Sequence, residues 1–255
     1  MLTVKTSYVG KVCVITLNRP DALNAITLGL LDELNAAFVE AQTSDDVRCI
    51  VFQGEGRSFC AGDDLKEQGE VSARGIAAVA AQTAAIQQVT QGIMFGPKPV
   101  IGAIEGWAVG AGLSWTLNCD LTVWGESAKG FFPEIGYGTF VSGGATYLLP
   151  ACVGPMRASD IMLSSRKMNA AELCHLGWAT HIAPDGEALV KAMELAAEIA
   201  AKPENAVMWT KRALRDPVKG MLLAAMANES AACLDACTPE TLARMQDGLK
   251  RGSAQ

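Results

Sequence analysis

The segment from residue 99 to residue 118 decides the fold of this chain. It begins with a short apolar run, Pro99–Ile104, continues as Gly106-Trp107-Ala108-Val109-Gly110-Ala111-Gly112, and reaches Asn118 through further apolar residues. The apolar run predicts a buried strand, and the residues after the glycines predict a helix. Glycine is favoured where the backbone turns sharply or approaches a ligand closely. This strand, turn and helix therefore predict an α/β unit with a binding site at the turn.

Strand and helix patterns alternate on both sides of that unit. Thr27 precedes apolar residues at helical spacing and predicts a capped helix that ends near Thr43. The other predicted strands cover residues 12–18, 48–52 and 121–124, and the other predicted helices cover residues 72–94, 186–201, 204–215 and 218–237. The alternation predicts an α/β architecture. We expect a core domain over residues 1–195 and a C-terminal helical region over residues 196–255.

Composition excludes several classes of protein. The 255 residues include 21 basic and 27 acidic side chains, a net charge of −6, without the basic runs that bind nucleic acid or anionic membranes. Two histidines leave carboxylates as the expected proton carriers. The eight cysteines form no Cys-x-x-Cys pair and no zinc-ligand cluster, which favours free thiols and no metal. Because the first residues lack an apolar signal segment, we expect a cytoplasmic protein without membrane contact.

Common nucleotide-binding and hydrolase motifs are absent from the sequence. Trp115 stands where a dinucleotide fingerprint beginning at Gly110 would need its third glycine. No P-loop motif occurs, and Phe140 replaces the first glycine of a nucleophile elbow around Ser142. The interpretation that remains is two glycine-bearing turns whose backbone N–H groups could hold an anionic oxygen. Glu134, which follows two phenylalanines and a proline, is the acid whose apolar setting favours a raised pKa.

Four sequence segments together resemble the crotonase superfamily, which contains the enoyl-CoA hydratases and isomerases. The segments are Leu17-Asn18-Arg19-Pro20 with Asn24-Ala25, Ser58-Phe59-Cys60-Ala61-Gly62-Asp63-Asp64-Leu65, residues 103–112 with Cys119-Asp120, and Phe132-Pro133-Glu134-Ile135-Gly136. Their order and spacing follow the family over most of the chain. The resemblance implies a spiral of ββα units, a C-terminal helical region that forms trimers or dimers of trimers, and acyl-CoA thioesters as substrates. Coenzyme A would enter as part of the substrate, so no separate cofactor is expected.

The resemblance also implies roles for individual residues. The backbone N–H groups of Asp63 and Ala111 would form an oxyanion hole, and Glu134 would transfer protons. The residues expected to line the substrate path are Ala22, Ala61, Asp63, Asp64, Leu65, Trp107, Gly110, Ala111, Pro133 and Glu134. Lys66 or the pair Lys250-Arg251 would meet the phosphates of coenzyme A.

The sequence departs from the familiar hydratase pattern at one catalytic position. Ser114 stands where those hydratases carry a second glutamate. A single glutamate favours moving a proton between carbons, so the leading hypothesis is isomerisation of an enoyl-CoA. Hydration and decarboxylation of an acyl-CoA remain open, as does a non-catalytic protein that binds acyl-CoA or assembles with a partner. The side chain of Asp63 is unusual at an oxyanion position, because its charge would oppose a developing enolate.

Overall fold

A computed structural model describes the chain over residues 2–252; for residues 246 and 248–252 it describes the backbone alone. The strands are β1 (Val4–Val9), β2 (Val12–Leu17), β3 (Cys49–Gly54), β4 (Val100–Ile104), β5 (Trp107–Val109), β6 (Leu121–Gly125), β7 (Lys129–Phe131), β8 (Met168–Asn169) and β9 (His181–Ala183). The helices are α1 (Leu28–Thr43), α2 (Leu65–Ala73), α3 (Ile76–Phe95), α4 (Ala111–Asn118), α5 (Glu134–Tyr137), α6 (Ala145–Val153), α7 (Pro155–Ser164), α8 (Ala170–His175), α9 (Ala188–Ala200), α10 (Glu204–Asp235) and α11 (Pro239–Gly252). A 3₁₀ turn covers Pro20–Ala22.

The strands form two sheets, and the second sheet positions the glycine-rich turn. The larger sheet has the order β1-β2-β3-β4-β6-β9, parallel from β2 onward after the antiparallel β1–β2 hairpin. The smaller sheet has the order β5-β7-β8, and β5 pairs with β7 in parallel. Strands β4 and β6 are buried or nearly so, as expected of parallel strands covered by helices. The predicted α/β class with a helical C-terminal region is confirmed.

Two helical predictions need correction. Residues 72–94 do not form one helix: the chain breaks at Gly75, whose φ of +95° is accessible to glycine but strained for other residues. Residues 204–215 and 218–237 are not separate helices, because α10 continues through Pro217. Proline removes one helical hydrogen bond. Anchors on both sides hold α10 together: the Lys211 ammonium bonds to the carbonyl of Ile93, and Leu222 is fully buried.

The C-terminal helices pack against the larger sheet and against helices α2 and α3. Helix α9 covers the larger sheet with its buried alanines, Ala188, Ala192 and Ala196. Helix α10 packs on α3, and helix α11 packs on α2. The domain boundary at residue 195 stays a prediction, and it falls inside α9. No helix over residues 2–252 is long and apolar enough to cross a membrane.

The cysteines are free, and they differ in exposure. Cys13, Cys49, Cys60, Cys119 and Cys233 are buried. Cys152 and Cys174 are exposed and Cys237 is half-buried. Burial raises the pKa of the Cys60 thiol to about 12, which leaves it protonated and unreactive.

Candidate active site

A cavity of about 250 Å³ lies where the second sheet, the loop after β3 and helix α11 meet. Its lining residues are Leu23, Ala61, Gly62, Asp63, Leu65, Gln68, Trp107, Val109, Gly110, Ala111, Phe131, Pro133, Glu134, Tyr137, Thr139 and Met245. Most of this surface is apolar, and the two carboxyl groups of Asp63 and Glu134 are its charged groups. No basic side chain lines it within the part of the chain that the structure describes.

The loop from Cys60 to Asp64 is held between two backbone segments. Cys60 pairs in parallel with Ala108 of β5, and Asp63 pairs in parallel with Ile26. The Ile26 pairing uses the carbonyl of Gly62 and the N–H of Asp64. Backbone groups alternate in direction along an extended chain, so the N–H of Asp63 points away from Ile26. It donates to no acceptor among the described residues.

The turn between β5 and α4 supplies a second unused donor. Gly110 has φ +55° and ψ −124°, a conformation that only glycine adopts without strain, and it places Ala111 at the first position of α4. The first N–H groups of a helix have no partner within it. The Ala111 N–H has no acceptor among residues 2–252, and Ala111 lines the same cavity as Asp63. The two N–H groups could therefore hold an anionic oxygen.

Glu134 begins the short helix α5 and turns its carboxyl into the cavity. Its Oε1 lies close to Gly110, where an added Cβ would come within 2.8 Å of it, and its Oε2 is buried without a hydrogen-bond partner among the described residues. The pKa of Glu134 is raised to about 8, mainly by burial; the charge of Asp63 contributes to the rise, and the backbone N–H of Glu134 opposes it. Glu134 is thus mostly protonated near neutral pH and can donate a proton.

Asp63 brings a second carboxyl to the cavity. Its Oδ1 is buried without a partner in the described part of the chain. Burial raises the pKa of Asp63 to about 6, with added contributions from the charges of Glu67 and Asp64. Asp63 is therefore mostly ionised at neutral pH, where Glu134 is mostly protonated. Two neighbouring carboxyls with separated pKa values are suited to act as a base and an acid.

Neighbouring polar residues hold the Asp63 loop in place. The Asp64 carboxylate accepts hydrogen bonds from the N–H groups of Lys66 and Glu67, which caps α2, and it pairs with Arg19 at 3.1 Å. The fully buried amide of Asn24 donates to the carbonyls of Glu55 and Ser58. Arg19 and Asn24 therefore support the loop from Cys60 to Asp64 from outside the cavity.

The structure brings most of the expected site residues together and leaves others outside. Ala22, Asp64 and Ser114 do not line the cavity. Ser114 is fully buried in α4 beneath Gly143, and its hydroxyl donates to the carbonyl of Gly110 at 3.3 Å. Lys66 is exposed at the start of α2. The side chains of Lys250 and Arg251 lie outside the described residues.

Sequence reasoning missed several residues that line the cavity. Met245 reaches it from α11, about 110 residues along the chain from Glu134, and Gln68 reaches it from α2. Helix α11 is held over α5 because the Thr241 hydroxyl donates to the carbonyl of Gly138 at 3.2 Å. No motif marks Met245 in the sequence. The available signal for Gln68 was its helical spacing from Leu65 and Val71, which lie three residues before and after it.

The geometry offers proton transfer and stabilisation of an anion, and it offers no metal-ligand cluster. Among residues 2–252, no group of three His, Cys, Asp or Glu side chains could hold a metal ion. His175 and His181 lie on α8 and β9, and neither lines the cavity. The chemistry available in the cavity therefore rests on Asp63, Glu134 and the two backbone N–H groups.

Comparison with known proteins identifies the family. The family model described as enoyl-CoA hydratase/isomerase matches residues 8–249. The chain is 32% identical to a probable peroxisomal enoyl-CoA hydratase of Arabidopsis thaliana, covering 96% of this chain and 91% of that protein. It is 36% identical to a mevalonyl-coenzyme A hydratase of Beauveria bassiana, covering 82% of this chain and 79% of that protein.

Solved structures agree with the sequence relatives. An enoyl-CoA hydratase/isomerase from Xanthobacter autotrophicus Py2 superposes with a TM-score of 0.90 at 28% identity, covering 99% of this chain and 96% of that one. With the family model spanning almost the whole sequence, these matches show that the chain belongs to the enoyl-CoA hydratase/isomerase family of the crotonase superfamily.

Proposed function

We propose that this protein is an enoyl-CoA hydratase, which adds water across the double bond of a 2-enoyl-CoA. The observation that carries the proposal is the pair of carboxyls, Asp63 and Glu134, on one cavity with pKa values near 6 and 8. Sequence reasoning counted one acid at the site, because Ser114 replaces the expected second glutamate. Asp63 supplies a second carboxyl from a different loop, and this favours hydration over the isomerisation first expected.

The proposed reaction uses each carboxyl once. Ionised Asp63 takes a proton from water as the water oxygen bonds to C3 of the substrate, and the double-bond electrons move toward the thioester oxygen. The N–H groups of Asp63 and Ala111 stabilise that enolate oxygen, and each such donor typically contributes about 3 kcal/mol. Protonated Glu134 then gives its proton to C2. Return of the proton from Asp63 to Glu134 restores the starting state.

Substrate binding follows from the rest of the cavity. We propose that Ala61, Leu65 and Trp107 line the path of the thioester and pantetheine, and that coenzyme A is needed only as part of the substrate. We also propose a homotrimer or a dimer of trimers, supported by apolar side chains that α10 leaves exposed: Trp209, Leu214 and Met221. Such exposed apolar residues are typical of subunit contacts.

Isomerisation of a 3-enoyl-CoA to a 2-enoyl-CoA is the second candidate function. The unpartnered Oε2 of Glu134 favours it, because one carboxyl can take a proton from one carbon and return it to another. Isomerisation requires Glu134 to begin ionised. With a pKa of about 8, Glu134 would support isomerisation best in alkaline solution.

The test is mass spectrometry of products from a panel of 2-enoyl-CoA and 3-enoyl-CoA thioesters. A gain of one water marks hydration, an unchanged mass with altered retention marks isomerisation, and loss of carbon dioxide marks decarboxylation. We expect hydration, with kcat/KM lowered at least about 10²-fold by Glu134→Gln and by Asp63→Asn. Glu126→Gln, which changes an exposed acid outside the cavity, is the control and should keep wild-type rates.

Asp63→Asn separates the two candidate reactions. This variant keeps the backbone N–H while it removes the proposed base, so hydration should fall and exchange of the C2 proton with heavy water should persist. Equal hydration rates in wild type and Asp63→Asn would contradict the proposed role of Asp63. Binding of acyl-CoA without any turnover across the panel would contradict the proposed activity as a whole.

A further inference from the structure

A second, smaller cavity adjoins the candidate active site. It has a volume of about 30 Å³, room for one or two water-sized groups. The two cavities share Asp63, Gln68, Thr139 and Met245 in their linings, so the small one continues the large one past the proposed reaction centre. If the protein binds acyl-CoA as proposed above, the end of the acyl chain farthest from the thioester lies in this second cavity. We call it the distal pocket.

Buried polar atoms without partners line the distal pocket. Gln82 is 2% exposed, and neither its amide oxygen nor its amide nitrogen has a partner among the described residues. The same holds for Oε1 of Gln68, which is 9% exposed, and for Oδ1 of Asp63. Burying a polar group without a hydrogen bond costs free energy, so such groups indicate a missing partner.

Other buried glutamines of this protein are satisfied. Gln87, on the same helix α3, donates to the carbonyl of Met226 at 2.7 Å and accepts from the Ser230 hydroxyl at 3.1 Å. Gln42 bonds to the backbone of Gly92 and of Lys98. The unsatisfied amides of Gln68 and Gln82 are therefore specific to the distal pocket.

The pattern of α3 also marks Gln82 as unusual. Val79, Gln82, Thr83 and Ile86 lie on one buried face of the helix and line the distal pocket together. Val79 and Ile86 are the apolar residues that this spacing predicts for a helix face in the core. A buried amide at residue 82 lowers the stability of the protein unless a partner forms hydrogen bonds with it.

Charge and size restrict what this pocket can bind. No Lys, Arg or His side chain lines it within the described residues, while Asp63 contributes an acid. A carboxylate at the end of the acyl chain would meet this acid without a compensating cation. A hydroxyl can donate to Asp63 or Gln68 and accept from the amide of Gln82, and it fits the small volume.

We propose that the distal pocket binds a hydroxyl at the far end of a short acyl group, held by Gln82, Gln68 and Asp63. This inference rests on the proposed acyl-CoA function. It assigns a substrate class to the same site: hydroxylated acyl-CoA thioesters in preference to their alkyl counterparts.

The experiment compares matched thioesters that differ only in a terminal hydroxyl or methyl group. The pairs are 4-hydroxybutanoyl-CoA with pentanoyl-CoA, 5-hydroxypentanoyl-CoA with hexanoyl-CoA, and 6-hydroxyhexanoyl-CoA with heptanoyl-CoA. Because these thioesters are saturated, calorimetry measures their Kd without turnover. In the pair of the right length we expect the hydroxylated thioester to bind at least about tenfold more tightly, a difference of about 1.4 kcal/mol.

Variants test whether the amides cause the preference. Gln82→Met keeps an unbranched side chain of similar length and should remove the preference, and Gln68→Met should reduce it. Gln87→Met is the matched control: it changes a satisfied glutamine of the same helix and should keep the preference. Thermal unfolding of each variant establishes that it is folded before binding is compared.

The outcomes separate this inference from the proposed function. Equal Kd values in all three pairs, or a preference that survives in folded Gln82→Met, would overturn the inference and leave water as the occupant of the pocket. Failure of every acyl-CoA to bind would overturn the proposed function, and the inference with it. Binding with the expected preference but without hydration of the unsaturated thioesters would support the pocket and contradict the hydratase activity.

Discussion

Glu134 is the residue whose chemistry depends most on its surroundings. In water its carboxyl would have a pKa near 4.5, and in the cavity the pKa is about 8, first because of burial and then because of Asp63. At pH values between these two pKa values, Glu134 keeps its proton in the folded protein and releases it in the unfolded chain. The folded state therefore binds more protons, and stability falls as pH rises through this interval. The buried Glu134 carboxyl therefore lowers the stability of the fold near neutral pH.

This argument predicts that Glu134→Gln stabilises the protein in a pH-dependent way. The glutamine does not ionise, so the variant does not lose the folding free energy that wild type loses as pH rises. The difference in free energy of unfolding should be small near pH 4.5, grow with pH, and level off above about pH 8. Urea denaturation of both proteins across this range measures it. Curves that stay parallel at every pH, or an equal trend in the exposed control Glu126→Gln, would contradict the raised pKa.

At the scale of elements, the unit formed by β5, Gly110 and α4 determines the shape of the site. Gly110 has the backbone conformation that frees the Ala111 N–H, and it lies against the Glu134 carboxyl. Gly62 approaches β5 so closely that an added Cβ would lie 3.0 Å from the carbonyl of Val109. Glycine at residue 62 therefore lets that turn lie against β5, and glycine at residue 110 leaves room for the Glu134 carboxyl.

Gly110→Ala tests this requirement. A Cβ would lie 2.8 Å from Oε1 of Glu134 and would be strained at φ +55°, so Glu134 or the turn must shift. We expect a loss of about 1–3 kcal/mol in stability and about 10²-fold in kcat/KM, since small displacements of catalytic groups carry that cost. Thermal unfolding and hydration kinetics measure the two effects.

Gly29→Ala is the control for the Gly110 prediction. Gly29 is an exposed residue of α1 at which an added Cβ meets no atom within 4 Å and φ is not positive. We expect wild-type activity and unchanged or slightly raised stability, because alanine favours helix more than glycine. Wild-type kinetics in Gly110→Ala would show that the close approach of this turn is not needed.

At the scale of the whole molecule, α10 packs on α3 and α6 and reaches Asp120, the residue before β6. Its Lys211 and Arg215 side chains pair with Asp120 at 2.8 and 3.1 Å, at the end of the segment that contains α4. Its Glu229 carboxylate accepts from the N–H groups of Gly144 and Thr146. Elsewhere on α10, Trp209, Leu214 and Met221 are exposed at 59%, 71% and 62%. One helix thus braces the core and offers an apolar surface.

The proposed trimer predicts that this surface is covered in solution. Light scattering coupled to size-exclusion chromatography should give three or six times the mass of the 26.8 kDa chain. Leu214→Glu should dissociate the assembly, because a buried unpaired carboxylate is costly. Val39→Glu, at a similarly exposed apolar residue of α1, should leave the mass unchanged. A monomeric wild type would contradict the proposal.

Local patterns were enough to predict much of the architecture. The Thr27 cap predicted the start of α1, and its side chain accepts from the Leu30 N–H. The continuity of α10 through Pro217 was not predictable, because long-range anchors at Lys211 and Glu229 stabilise a helix that local propensity would interrupt.

The sequence by itself determined the α/β class, the family resemblance, the turns at Gly62 and Gly110, and the choice of Glu134, because glycine conformations and motif spacing are local properties. Tertiary structure alone decided that Ser114 lies outside the cavity, that Asp63 contributes the second carboxyl, and that Met245 covers the site. It also decided that Gln68 and Gln82 lie unsatisfied on one pocket. Burial, pKa and hydrogen-bond satisfaction depend on residues far apart in the chain, and only folding brings those residues together.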